Sequence, residues 1–169
     1  MSISFSTVVK DELGRFKIVK AQTEITPGFP DFKILGLANS EVVQHKERIR
    51  SALKNSGRKF SHAKQLIILN NDHQISNSAY LDLVFALSLV ARTDNLKIDF
   101  SGKLFLGKLN LDGTLESTDE ILQILSSPII NNFKQFILPI SCQHLNIPNA
   151  KYCKDINSVL KNIKFWDSN

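Results

Sequence analysis

Hydrophobic and polar residues alternate along two segments near the start of the chain, residues 2–9 and 17–26. A side-chain period of two is typical of half-buried strands, so both segments are predicted to be strands. Residues 11–14 have the composition of a turn that joins them. A Pro-Gly-Phe-Pro turn at residues 27–30 precedes a third predicted strand at residues 32–37. The pattern therefore predicts that the chain opens with three strands.

Helical periodicity follows in two longer segments. Residues 40–55 place apolar side chains three and four positions apart, which predicts an amphipathic helix. Asn39 or Ser40 is predicted to cap its beginning, and Gly57 suits the left-handed position just after its end. Residues 79–91 are apolar almost all round, which predicts a central buried helix, and the serines before it offer caps.

Shorter segments complete a single domain. Further strands are predicted at residues 65–69, 104–106, 108–111 and 135–138, with a hairpin turn at Asp112 and Gly113, and further helices at residues 119–126 and 156–163. No linker, repeat or low-complexity block divides the sequence. The mixed order of strands and helices predicts one α+β domain over residues 1–169, built as a two-layer α/β sandwich.

Composition excludes several classes of protein. Of the 169 residues, 43% are apolar and 22% are charged, which suits a chain with a core rather than a disordered tail. The longest apolar run, residues 79–91, is interrupted by Asp82 and Ser88 and is shorter than the roughly 20 residues of a membrane helix. Cys142 and Cys153 are too few for a disulfide framework. A cytoplasmic protein without a membrane partner is expected.

The sequence also lacks the common catalytic and metal-binding motifs. It contains no GxxxxGK[ST] loop to hold nucleotide phosphates and no GxSxG nucleophile turn. Its four histidines have neither the HExxH spacing nor that of paired metal ligands. We therefore expect no cofactor, no metal site and no catalytic residue.

One stretch of the chain carries a specific resemblance. Residues 47–57 read ERIRSALKNSG and follow ILGL at residues 34–37. This order is similar to "VGLP…ERVRSAIKNSG" near the start of the magnesium-chelatase-like AAA+ proteins of the ComM type. Weaker matches lie in the family's order at TPGFP (26–30), LDL (81–83), FLGKL and LDG (105–113) and FILP (136–139). Together they resemble the N-terminal domain of that family.

This resemblance implies a fold, a role and partners. The family's N-terminal domain has the ribosomal S5 domain 2-like fold of the Lon peptidase domain, and an AAA+ motor normally follows it. ComM-type proteins are associated with hexameric DNA branch migration in natural transformation. The expected partners are DNA without sequence preference, an AAA+ ATPase or another DNA-processing protein, and further copies of the chain. The sequence ends at Asn169 before any motor, as expected of a stand-alone relative or of a fragment.

The sequence departs from the family's pattern around the second helix. Ala38 and Val84 stand where the family has proline, and the polar loop at residues 70–78 replaces its "NLAPADLRKEG". The beginning of the buried helix is therefore expected to differ, together with any function that the family places in that loop.

Asp82 lies near the start of the apolar helix, where an unpaired carboxylate is unfavourable. One interpretation is structural: the carboxylate accepts hydrogen bonds from the free N–H groups of the helix start and is stabilised by the positive end of the helix dipole. The other interpretation follows from the resemblance to Lon peptidases. Asp82 falls near the position of their nucleophilic serine and Leu122 near that of their lysine base, which would make this a vestigial catalytic site. Ser76 and Ser78 could replace the nucleophile, but no lysine is evidently placed to activate them.

The positive charge is concentrated in the first part of the chain. The net charge is +5, and the first 65 residues alone carry +6. Lys46, Arg50 and Lys54 form a slanting row along one side of the first helix, which Arg58 and Lys59 continue. Such a row can neutralise phosphates without reading bases. The alternative is a solvated helix face, partly offset by a neighbouring glutamate.

Three functions therefore compete. The first is a non-catalytic binding and assembly module that acts on DNA or on a DNA-processing partner. The second is a degenerate Lon-like serine peptidase. The third is a purely structural oligomerisation domain.

Overall fold

The computed structural model describes residues 3–70 and 78–165. Within them the chain forms nine strands and four α-helices. The strands are β1 (Phe5–Lys10), β2 (Phe16–Thr26), β3 (Asp31–Leu35), β4 (Lys64–Asn70), β5 (Lys103–Phe105), β6 (Lys108–Leu109), β7 (Leu115–Glu116), β8 (Gln135–Pro139) and β9 (Ala150–Cys153). The helices are α1 (Asn39–Asn55), α2 (Leu81–Thr93), α3 (Ile121–Leu125) and α4 (Ile156–Ile163), with 3₁₀ segments at Pro128–Asn132 and Ile140–Leu145.

Seven of these strands form one mixed sheet. Their order is β3-β4-β2-β1-β5-β8-β9, and β6 and β7 form a separate hairpin. β2 is antiparallel to both β1 and β4, whereas the other four neighbouring pairs are parallel. Parallel neighbours need a long crossover connection, which α1 supplies between β3 and β4. The architecture is mixed α/β, consistent with the predicted α+β sandwich.

Two apolar clusters lie on the two faces of the sheet. The larger one contains residues of α1, α2 and α4, and the smaller one contains residues of α3. In β1, Phe5 and Val9 belong to the larger cluster and Val8 to the smaller one, as the alternation of a strand requires. Every residue from Leu81 to Ala91 is buried, which confirms the predicted central helix. Among the described residues no helix has the length and apolar character that crossing a membrane needs.

Helix α1 ends as its sequence predicts. Gly57 adopts a φ of +76°, the left-handed conformation that glycine enters without a Cβ penalty. The N–H of Gly57 donates to the carbonyl of Lys54, and the N–H of Arg58 donates to that of Leu53. This pair of hydrogen bonds is the Schellman motif, which satisfies the carbonyls of Leu53 and Lys54.

The predicted caps at the beginning of α1 are wrong. Asn39 and Ser40 are the first two residues of the helix, and Ala38 occupies the cap position. No side chain at that position accepts a hydrogen bond from the first turn. The chain enters α1 directly from the tight turn that follows β3, which leaves no residue with a polar side chain at the cap.

That turn depends on Gly36. Its φ is +107°, and a Cβ built on it would lie 2.8 Å from the backbone oxygen of Leu69. Gly36→Ala is therefore expected to lower the free energy of unfolding by about 2–3 kcal/mol, measured by urea denaturation. Gly14→Ala is the matched control, because Gly14 also has a positive φ but would meet no atom within 4 Å. Equal losses in the two variants would contradict the steric argument.

Candidate functional site

Helix α1 has two different polar flanks beside its buried face. Val42, Ile49 and Leu53 are buried, as the spacing predicts. Successive side chains on a helix are about 100° apart, so positions 44 and 48 lie on the flank opposite to positions 50 and 54. One flank lines a cleft against α2, and the other carries Lys46, Arg50 and Lys54.

The cleft, which we call the α1–α2 cleft, has a volume of about 650 Å³. Helix α1 contributes Glu41, His45 and Arg48 to its walls, the start of α2 contributes Asp82, and β6 contributes Lys108. Two carboxylates, two cations and an imidazole thus meet in one concave site. Sites of this size and mixed lining are typical of small-molecule or peptide binding.

Asp82 is the centre of a buried polar network in this cleft. Its Oδ1 lies 2.6 Å from Nδ1 of His45, and its Oδ2 accepts a hydrogen bond of 2.6 Å from Nε of Arg48. Asp82 is only 8% exposed, and so is His45. Nη2 of Arg48 also lies 3.1 Å from Nδ1 of His45, so the three side chains form one connected group. The network ties α1 to α2 across the cleft.

These contacts correct the structural interpretation of Asp82. Among the described residues its carboxylate accepts hydrogen bonds from side chains of α1, and no N–H group at the start of α2 donates to it. Ser78 accepts a hydrogen bond of 3.3 Å from the N–H of Tyr80, one residue before α2 begins, and donates to the carbonyl of Val8. Ser76 lies outside the described residues.

The two positions that the Lon resemblance relates to a catalytic serine and lysine lack both of those groups. Asp82 supplies a carboxylate that is already paired, and Leu122 on α3 is an apolar side chain that is 54% exposed. A Ser–Lys dyad needs a hydroxyl group and a neutral amine in contact. Neither group stands at these two positions. In the described ranges no three His, Cys, Asp or Glu side chains are grouped as metal ligands would be.

Thr118, which lines the cleft, is hydrogen-bonded to the hydroxyl of Tyr80, a buried residue of the smaller apolar cluster. Burial raises the pKa of Tyr80 to about 12, from an ordinary value of 10.0. The neutral phenol is therefore favoured in the folded protein more than in the unfolded chain.

This shift predicts a loss of stability at high pH. Between pH 10 and about 12 the unfolded chain releases a proton that folded Tyr80 retains, so the free energy of unfolding falls as the pH rises. We expect Tyr80→Phe to show a shallower decline over that range than the wild type in urea denaturation. Parallel declines would show that Tyr80 does not contribute.

The opposite flank of α1 carries the predicted basic row. Lys46 is half-buried, whereas Arg50 and Lys54 are exposed, as the spacing predicts. The Lys46 ammonium lies 6.0 Å from the centre of the Phe32 ring, and the Arg50 guanidinium lies 5.4 Å from that of Phe60. Cations over aromatic faces are attracted to the ring electrons, so these side chains are held along the surface.

The row has few acidic neighbours. Among the described residues no carboxylate forms an ion pair with Lys46, Arg50 or Lys54, and Glu47 does not offset Arg50 by direct contact. Lys59 is also exposed and without an ion pair there. We call these four cations the basic row: Lys46, Arg50, Lys54 and Lys59.

Arg58 is differently placed from the other predicted cations. Its guanidinium forms an ion pair of 3.0 Å with Asp94 and donates to Asn157 over 2.7 Å. Its side chain is 23% exposed. Arg58 therefore joins the end of α1 to α2 and α4, and its charge is already compensated.

Sequence reasoning missed two members of the cleft network, His45 and Arg48. Both lie one turn apart on α1, and Arg48 belongs to the ERIRSALKNSG stretch. The signal was present in part: a histidine at 45 and a carboxylate at 82 both fall on otherwise apolar helix faces, where each needs a partner. What the sequence alone did not supply was the packing of α1 on α2.

Comparison with known proteins identifies relatives along most of the chain. The sequence model of the family described as "Subunit ChlI of Mg-chelatase" matches residues 21–141, which is well over half of the chain. Uncharacterized proteins of Mycobacterium bovis and of two strains of Mycobacterium tuberculosis are each 22% identical over 155 residues. The match covers 91% of this chain but 30% of each relative, so the chain spans less than a third of their length.

Proposed function

This chain belongs to the family of the ChlI subunit of magnesium chelatase, and from that premise we propose that it is a non-catalytic binding and assembly module that holds nucleic-acid backbone on its basic row. The more specific relationship that we propose is to the N-terminal domain of the ComM-type AAA+ proteins, with their ribosomal S5 domain 2-like fold. In support, the ERIRSALKNSG stretch forms the second half of α1 and its Schellman end.

The observation that carries the nucleic-acid role is the basic row itself. Four cations lie along and just beyond one flank of α1 without a carboxylate partner in the described ranges. A surface cation that is paired with a carboxylate gains little free energy by binding phosphate, because it must first leave the carboxylate. Unpaired cations release only counterions when they contact phosphate, which favours binding.

The two phenylalanine rings favour the same role. Phe32 and Phe60 lie with their centres 5.9 Å apart under Lys46 and Arg50. Because the rings hold these cations along the surface, less side-chain entropy is lost when phosphate binds. Backbone contacts of this kind position a protein on nucleic acid without reading its sequence. We therefore expect sequence-indifferent binding.

The non-catalytic part of the proposal rests on the two positions that the Lon resemblance relates to a dyad. The chain has Asp82 and Leu122 there, and neither supplies the hydroxyl or the amine of a Ser–Lys dyad. Full-length chain incubated with unfolded casein and with a fluorescent peptide library is expected to release no fragments. Turnover that a serine-directed phosphonate abolishes would favour the degenerate peptidase instead.

An assembly role is proposed from the size of the relatives. The mycobacterial proteins are more than three times as long as the segment that they share with this chain. We propose that the additional length includes an AAA+ motor, and that this module works together with such a motor. Analytical ultracentrifugation of the chain with and without DNA separates this role from a structural ring: a stable oligomer that forms without DNA and binds none would favour the oligomerisation domain.

Direct binding is the test of the nucleic-acid role. We expect the full chain to raise the fluorescence anisotropy of a labelled 30-base-pair duplex at about 50 mM salt, with equal affinity for a scrambled duplex. Absence of binding at that salt concentration would contradict the role. More than tenfold preference for one sequence would contradict its sequence indifference.

A further inference from the structure

Two groups in the α1–α2 cleft have hydrogen-bonding capacity that no described residue uses. Nε of Arg48 donates to Asp82, and its Nη2 lies 3.1 Å from Nδ1 of His45 and 3.5 Å from Oδ1 of Asp82. No described residue accepts a hydrogen bond from its Nη1. His45 uses Nδ1 for Asp82, and no described residue bonds to its Nε2. Among the described residues no fully buried side-chain nitrogen lacks a partner, so Nε2 retains contact with solvent although His45 is only 8% exposed.

The guanidinium of Arg48 has a second edge of two N–H donors that does not face Asp82. A guanidinium has two edges that each present two N–H donors in parallel, and the side-on edge with Nε is occupied by Asp82. The end-on edge, formed by Nη1 and Nη2, belongs to a side chain that is 40% exposed and lines the cleft. Two parallel donors match the two oxygens of a carboxylate or two of a phosphate. Asp82 also fixes the guanidinium, so its donors are pre-oriented for a second anion.

The charge of the cleft selects between these two anions. The charged groups on its walls are Arg48 and Lys108 against Glu41 and Asp82, and Glu116 pairs with Lys108 at 3.8 Å, which leaves a net charge of −1 when His45 is neutral. A phosphate monoester brings a charge of about −1.5 to −2, whereas a carboxylate brings one negative charge. Glu41 and Asp82 therefore repel a carboxylate less than they repel a phosphate monoester. The cleft therefore favours a carboxylate.

The remaining walls indicate what the carboxylate is attached to. Leu37, Leu81 and Leu109 line the same cleft, and the last two are at most 5% exposed. Leu37 is half-buried and retains apolar surface, which an apolar body of a few carbons would cover while its carboxylate reached Arg48. We infer that the α1–α2 cleft binds a monocarboxylate with a short apolar body, through the open edge of Arg48 with His45 and Lys108 beside it. This site lies on the flank of α1 opposite to the basic row and does not depend on nucleic-acid binding.

The test is a titration of the full chain, isotope-labelled for NMR, with hexanoate and with hexanamide as the uncharged control of the same shape. Hexanoate is expected to shift the signals of the His45 ring and the Leu109 methyl groups in a saturable way, with at least about tenfold higher affinity than hexanamide. Equal affinities for hexanoate and hexanamide would overturn the proposal. So would hexanoate signals that do not saturate by a concentration of about 50 mM. Tighter binding of inorganic phosphate than of hexanoate would overturn the choice of carboxylate.

Two variants assign the carboxylate to its proposed partner. Arg48→Lys keeps the positive charge beside Asp82 but removes the parallel donors, and is expected to weaken hexanoate about tenfold. Lys108→Gln, which leaves the Asp82 network intact, is expected to weaken it about threefold. Arg92→Lys is the matched control, because Arg92 is 51% exposed, lies outside this cleft and forms an ion pair with Glu24 at 3.8 Å. Wild-type affinity in Arg48→Lys would overturn the assignment.

A titration with a short peptide distinguishes two sources of such a carboxylate. The tripeptide Ala-Ala-Leu with a free carboxyl terminus is compared with its C-terminal amide and with hexanoate. Tighter binding of the free peptide than of hexanoate supports the carboxyl end of a protein as the ligand, and the reverse order supports a free organic acid. If the peptide amide bound as tightly as the free peptide, the carboxylate would not be recognised and the proposal would fail.

Discussion

Asp82→Ala is expected to lower the free energy of unfolding by about 3 kcal/mol, as measured by urea denaturation. The substitution removes the buried carboxylate that contacts Nδ1 of His45 and the anion that pairs with Arg48. Removal of one partner from a buried ion pair typically costs about 3–5 kcal/mol. The lower end applies here because the Arg48 side chain is 40% exposed and regains water.

Asp94→Ala is the matched control for that loss. Asp94 also pairs with an arginine, at 3.0 Å, but its side chain is 47% exposed. Surface pairs of this kind contribute about 0–1 kcal/mol, so the control is expected to remain close to wild type. If Asp82→Ala unfolded at the wild-type urea concentration, the network would not hold α1 to α2 in the way that its distances indicate.

The double variant Arg50→Glu with Lys54→Glu is expected to weaken duplex binding at least about 100-fold at 50 mM salt. Two attractive contacts with phosphate become two repulsive ones, and each charge-assisted contact is worth roughly 1.5–3 kcal/mol. The melting temperature should hardly change, because both side chains are exposed and neither has an ion-pair partner in the described ranges.

A control variant with the same change in net charge distinguishes a local surface from a general effect of charge. Lys151→Glu with Lys154→Glu reverses two exposed lysines in and after β9, the strand at the opposite edge of the sheet from β3. This control is expected to weaken binding less than about fivefold, through the long-range field alone. Equal losses in the two double variants would mean that the basic row is not the binding surface.

The sequence predicts those parts of the structure that depend on local periodicity. The amphipathic spacing of α1, the all-apolar pattern of α2 and the glycine at 57 each have a direct physical consequence, and each prediction is confirmed. The edge strand β9 was missed because only four residues, Ala150–Cys153, pair with β8. So short a segment has too few alternations to be distinguished from a loop.

The candidate site was less predictable because it depends on contacts between distant residues. Asp82 was recognised as a buried charge, but its partners lie 34 and 37 positions away on another helix. The free N–H groups of its own helix were the only partners that local reasoning could offer, and that interpretation is wrong. Arg58 was placed with the basic row for the same reason, since its neighbours Asp94 and Asn157 adjoin it only in the fold.

The salt dependence of duplex binding tests the central claim most directly. If the basic row holds phosphates, the logarithm of the association constant should fall linearly with the logarithm of salt concentration, with a slope of about −3.6 for its four cations. Single replacement Lys54→Gln should reduce the size of that slope by about 1, while a scrambled duplex leaves it unchanged. Binding with no dependence on salt concentration, or a slope that Lys54→Gln does not alter, would contradict the account.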